Sequence, residues 1–164
     1  MTVIKFELSQ RSIAKAKAEI LKYRQDLERK VELLTQRLVD EGVGLAKVNV
    51  AKLGAFDTGV LEGSITGYFS PTLGTGFIKT NCYYAVYVEF GTGIRGSEAS
   101  HPLSGEKGYD YDVNNHGEEG WFYYNSVTGK SGWTTGMPSR PFMYETTKEL
   151  ELICSKIAKQ VFKS

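Results

Sequence analysis

Between Ser12 and Asp40 the chain runs for 29 residues, SIAKAKAEILKYRQDLERKVELLTQRLVD, without a glycine or a proline. Ile13, Ile20, Leu27, Val31, Leu34 and Leu38 recur at spacings of three, four or seven, so they share one face of an α-helix. Lysines, arginines and glutamates cover the rest. Ser9 is suited to cap the helix, and Gly42 and Gly44 are expected to stop it. At 1.5 Å per residue this helix would be about 45 Å long, whereas the ordinary helix of a compact domain has about 11 residues. It must lie across a whole sheet or lend part of its stripe to a neighbouring subunit. No consistent second apolar seam accompanies the first, which argues against a free-standing coiled coil.

The remaining segments build around this rod. Residues 3–8, VIKFEL, alternate as a short strand. Val43 to Asp57 has little periodicity and reads as a loop, and Asp57-Thr58-Gly59 as a turn. Strands are expected from Ser64 to Phe69, ended by Pro71, and over GTGFIKTN. CYYAVYVEF reads as a helical turn or a strand leading to Gly91-Thr92-Gly93. Residues 94–120 are rich in Gly, Asp, Asn and Ser; so long a connection is a candidate assembly loop, expected to be mobile in the free protein. WFYYNSVTGKSGWTTG reads as a β-hairpin with aromatic arms. A last helix begins near Pro141, where a missing N–H costs little. It would bury Phe142, Thr146, Leu150, Ile153, Ile157 and Val161. The order predicts one α+β domain over 1–164: long N-terminal and C-terminal helices on a mainly antiparallel sheet, with a long inserted loop and a hairpin.

Charge and composition exclude several classes. Twenty Lys and Arg against 19 Asp and Glu leave a net charge of +1, so no basic field points to nucleic acid or to an anionic membrane. No apolar run approaches the ~20 residues of a membrane span, and MTVIKFELSQ has no signal-peptide core. A protein made and folded in a cytosol is expected, with Cys82 and Cys154 as free thiols.

The sharpest chemical question is Glu89, set among apolar residues in YVEFGTG. The GTG lacks the Gly-Lys-Ser/Thr ending of a phosphate-binding loop and is not GxGxxG. Asp57-Thr58-Gly59 resembles the aspartic-protease triplet, but that chemistry needs two such carboxylates, and AFDTGVLEGS lacks the apolar strand that would precede one. His101 and His116, near Asp110 and Asp112, are fifteen residues apart. That fits no compact zinc pattern, so both are expected to be solvated loop residues. No GxSxG elbow is present. No enzyme, cofactor or metal is expected. Glu89 is read instead as an anchor at a strand end, with Arg140 of the same chain or a residue across a subunit interface as its partner and the glycines as the reversal after it.

Three blocks in order, AFDTGVLEGSI, YYAVYVEFGTG and GMPSRPFMYET, resemble the tailed-bacteriophage family of neck or tail-completion proteins, also described as head–tail joining or minor tail components. Asp57, Thr58, Gly59, Leu61, Ser64 and Ile65 match the first family block. Tyr84, Ala85, Tyr87, Val88, Glu89, Gly91 and Thr92, with Gly93 beside them, match the second. Arg140, Pro141, Phe142 and Met143 match the third. The chain departs at Phe56, where the family often has proline, and at Tyr144-Glu145-Thr146, which replaces x-Pro-Ala. Its stretch from Ile94 to Gly132 is longer and more aromatic than a minimal member needs.

The resemblance implies a structural virion protein of the head–tail junction in a siphovirus-like phage or a prophage, present in the host cytoplasm during assembly. It would form a homo-oligomeric ring, expected to be hexameric, between the head-completion or connector protein and the tail terminator or tube. DNA would pass through without specific recognition, and no membrane is involved. Ring closure needs two complementary surfaces per subunit. The long helix, the 94–120 loop and the hairpin are the candidates, with Tyr109, Tyr111, Trp121 and Trp133 as interface residues. The free protein is expected to be monomeric or weakly associated. The alternatives are a tail terminator capping the tube, a hydrolase or metal enzyme using Glu89, Asp57 or the histidines, and a nucleic-acid-binding module on the basic residues of the long helix.

Overall fold

The structure, a computed structural model, describes residues 7–55, 59–112, 115, 119–125 and 128–163. The first helix, α1, spans Gln10–Lys52. Ser9 Oγ accepts the Ser12 N–H at 3.3 Å, and Ser12 Oγ accepts the Glu7 N–H at 2.9 Å. The first bond satisfies a donor that an uncapped helix end would leave open, and the second ties the residues before the cap back to the helix. Leu8 is exposed and in no strand; the rest of the strand expected at 3–8 lies outside the described residues, apart from Glu7.

The helix does not stop at Gly42 or Gly44. It runs a further two turns through the segment expected to be a loop, and ends where Gly54 takes a φ of +63°. Packing overrides the local breakers. Gly42 sits where Ile78 and Leu150 press onto the helix from two other elements, and a Cβ there would overlap both side chains. Beyond it Ala46, Asn49 and Val50 are buried. Burying a valine side chain is worth about 1.5–3 kcal/mol, which exceeds the ~1 kcal/mol that a glycine costs a helix interior.

A short helix α2 (Val60–Ser64) opens with Gly59 at φ +79°, and leads into an antiparallel hairpin of β1 (Ile65–Ser70) and β2 (Thr75–Thr80). Pro71 lies in its turn, as the pattern predicts. Gly67 and Gly76 lay bare backbone against Val39 of α1, so the helix crosses the hairpin at close range. Next comes α3 (Ala85–Phe90), a helix and not a strand: Ala85, Val88 and Glu89 turn inward together at helical spacing.

The 94–120 stretch is not structureless. It contains α4 (Gly93–Glu98) and α5 (Ser104–Lys107). The aromatic hairpin follows as β3 (Trp121–Asn125) and β4 (Lys130–Thr134), then a two-residue β5 (Gly136–Met137) that bridges back to Thr92 and Gly93. Among the described residues the strands form two separate two-stranded sheets and not one continuous sheet.

The last helix, α6 (Phe142–Lys163), packs on α1. Thr146 meets Asn49 and Leu150 meets Gly42, so the two helices run antiparallel. Asn49 Nδ2 donates to Thr146 Oγ1 at 3.2 Å, and Thr146 Oγ1 donates to the Phe142 carbonyl at 2.6 Å, which satisfies the polar atoms of this seam. Phe142, Thr146 and Val161 are buried, while Leu150, Ile153 and Ile157 are half-buried. One apolar core gathers Ala46, Val50, Leu61, Ile65, Ala85, Val88 and Phe142. Cys82 and Cys154 are half-buried free thiols. No described helix is long and apolar enough to cross a membrane.

Candidate functional site

The α6 helix starts immediately after Pro141, a residue with no side-chain acceptor to offer the first free N–H groups. Glu89 supplies one from 54 residues earlier in the chain. Its Oε2 accepts the Met143 N–H at 2.9 Å and its Oε1 accepts the Tyr144 N–H at 3.0 Å. These are the second and third residues of α6, where a capping side chain acts and where the helix dipole favours negative charge. The carboxylate is nearly buried, at 8% exposure for the residue. Ser139 Oγ donates to the Glu89 carbonyl at 2.6 Å, and the Arg140 N–H donates to the Val88 carbonyl at 2.9 Å, so the backbone before α6 is tied to α3 as well.

The expectation for Glu89 is therefore corrected on two counts. Glu89 stands near the end of a helix, not of a strand, and Arg140 makes no ion pair with it among the described residues. Arg140 serves through its backbone. The second partner of Glu89 is His101, which was expected in solvent and is 3% exposed. The His101 Nδ1 accepts the Leu103 N–H at 3.0 Å, which leaves the proton on Nε2, 3.2 Å from Glu89 Oε1. A lone histidine in a glycine-rich, aperiodic stretch carries no pattern that would have revealed this.

An aromatic stack extends the node. Phe90 lies 4.3 Å from His101 and 4.7 Å from Tyr109 between ring centres, while Tyr144 stands edge-on to His101 at 5.4 Å and Tyr111 edge-on to Tyr109 at 5.1 Å. The Tyr109 hydroxyl donates to the Gly91 carbonyl at 2.8 Å. Burial, with smaller contributions from Tyr87, Tyr111 and Asp110, pushes its pKa up to about 12. Tyr111 accepts the His101 N–H on its hydroxyl at 3.2 Å and the Gly93 N–H on its carbonyl at 2.7 Å. Tyr109 and Tyr111, expected at an assembly surface, are half-buried and make these bonds within the chain. Trp121 is half-buried and borders Gly93; of the four aromatics only Trp133 is exposed.

The GTG is a backbone crossing. Gly91 has φ +84° and ψ 175°, a conformation confined to glycine. A Cβ on it would lie 2.7 Å from the Ser139 nitrogen and 2.9 Å from the Met137 carbonyl oxygen. Gly136, at φ +101°, presses against the Thr92 carbonyl. The Gly91 N–H donates to the Tyr87 carbonyl at 2.8 Å and the Gly93 N–H is held by Tyr111, so these amides are not free to cradle a phosphate. Thr92 Oγ1 accepts the Met137 N–H at 3.3 Å.

Beside Glu89, His101 and Tyr144 lies a cleft of about 480 Å³. Both ring nitrogens of His101 and both carboxylate oxygens of Glu89 are engaged internally, which suits an anchor better than a general base. Among the described residues no group of three His, Cys, Asp or Glu side chains could hold a metal. Asp57, Thr58 and His116 lie outside the described residues; Gly59 opens α2. No family model, curated protein or solved structure matches the chain.

Proposed function

We propose that this protein is a structural subunit of a phage head–tail junction, acting as a neck or tail-completion ring through which DNA passes. The observation that carries the reading is where the three sequence blocks meet. Leu61 and Ile65 of the first, Ala85 and Val88 of the second and Phe142 of the third belong to one buried core. Glu89 and the GTG of the second block then fix the start of the helix that the third block opens. The described residues that carry the resemblance therefore build a scaffold. The near-neutral charge suits a channel wall that lets DNA slide without gripping it.

The test is position in the particle. Gold-labelled subunits in negative-stain images of the parent virion should mark the joint between head and tail. Label along the tail tube or over the capsid shell would overturn the proposal.

A further inference from the structure

α6 is much shorter than α1. From the level of Gly42 and Leu150, the remaining thirteen residues of α6 reach back about 20 Å, to about residue 29 of α1. The apolar stripe of α1 does not end there. Ile13, Ile20, Tyr23 and Leu27 continue it over the overhanging part, and all four are exposed, Ile20 at 55%. Ala16 lies between them and is already buried, so it adds no free area.

The charges beside this stripe are sorted. Glu19 and Asp26 flank Ile20 and Leu27 on one side, each one residue before its apolar neighbour. Lys17 and Arg24 lie on the other, each four residues after Ile13 and Ile20. Two such helices packed in parallel and in register set Glu19 of one copy against Arg24 of the next. Packed antiparallel, they set acid against acid and base against base, which repels. Within one chain Arg24 pairs with Glu28 at 2.7 Å, and Asp26 with Arg29 at 3.0 Å and with the half-buried Lys30 at 3.2 Å; the two arginine pairs are exposed and weak enough to exchange.

We infer that the overhang of α1, residues 13–27, is a contact between copies of this chain, with neighbouring helices side by side and parallel. Its ring geometry rests on the proposed function: rotation about a ring axis keeps the long helices of all subunits pointing the same way. The seam is two to three heptads long, so the contact is weak in the free protein and adds up only within a closed assembly.

Oxidative cross-linking of the purified full chain tests this, in a background of Cys82→Ala and Cys154→Ala whose folding is checked by circular dichroism. Ile20→Cys should form disulfide-linked dimers several-fold faster than Lys22→Cys, which sits on the opposite side of the helix. Adding Glu19→Lys should slow the Ile20→Cys reaction, and adding Arg24→Glu to that should restore it. Equal rates for the two cysteines, or faster cross-linking with Glu19→Lys alone, would overturn the inference. These outcomes are independent of where the protein sits in the particle, so the contact and the head–tail reading fail separately.

Discussion

Glu89 and Tyr144 lie 55 residues apart in sequence and are joined by a 3.0 Å hydrogen bond from the Tyr144 N–H to the Glu89 carboxylate. With the Met143 N–H on the other oxygen, that contact starts α6 and locks it to α3. Glu89→Gln turns one acceptor oxygen into an NH2 group facing a donor. The loss should be about 1–3 kcal/mol, the usual cost of an unsatisfied buried donor, and Glu89→Ala should lose more. Arg140→Ala, which keeps the backbone bond to Val88, should stay within about 0.5 kcal/mol of the parent. Urea unfolding of the three variants checks the order. An unchanged midpoint for Glu89→Gln would remove Glu89 from its capping role.

The glycines of this chain divide by their surroundings, and alanine scanning should separate them. Gly44 lies in the middle of α1 with open space beside it. Gly44→Ala should stabilise by about 0.5–1 kcal/mol through helix propensity and the unfolded chain. Gly42→Ala forces Ile78 and Leu150 apart, and overpacking of this kind costs about 1–3 kcal/mol. Gly91→Ala combines a positive φ with a clash against backbone atoms that cannot swing away, and should be the worst of the three. Thermal melting of the set gives the ranking; a stabilising Gly42→Ala would contradict the packed crossing.

Tyr109 gives a pH signature. Its pKa is raised from 10 to about 12, chiefly by burial, so the folded state holds the phenolic proton more tightly than the unfolded chain. Its contribution is complete below pH 10 and is lost as the pH rises from about 10 to about 12. The chain has ten tyrosines, so the informative quantity is the difference between the parent and Tyr109→Phe. The variant should melt lower at pH 8, for want of the bond to Gly91, and the gap should narrow above pH 10. Parallel melting curves across that range would show that the Tyr109 hydroxyl is not held in the folded state.

How much of this was legible in the sequence depended on the range of the interaction. The heptad spacing of Ile13, Ile20, Leu27 and Leu34 announced α1, and the phase of Phe142, Thr146 and Val161 announced the face of α6, because both follow from a local period. The position of Pro141 marked where α6 begins. What stops a helix was misread, because Gly42 is a contact site for Ile78 and Leu150, side chains from distant segments. α3 was ambiguous, since Val86 and Val88 alternate like a strand while Ala85, Val88 and Glu89 repeat like a helix. The burial of His101 and the internal bonds of the tyrosines at 109 and 111 were invisible. Both depend on a fold of the 94–120 stretch that no short-range pattern encodes.

The exposed face of the aromatic hairpin is a second surface available to the ring subunit proposed above. Phe122 and Trp133 stand opposite each other across β3 and β4, edge to face with ring centres 4.8 Å apart, and Phe122 is 76% exposed. Tyr124 is exposed on the same side, two residues along β3. Such a patch contributes little to the fold of its own subunit, because a side chain left in water gains little from folding. It is well suited to a protein interface, where large aromatics dominate binding. Phe122→Ser combined with Trp133→Ser should therefore change the stability of the free protein by about 1 kcal/mol or less, within the range of lost cross-strand contacts. The same variant should fail to complement particle assembly in a host carrying a deletion of the gene. Normal particle yield with the double variant would show that the hairpin face is not an assembly surface.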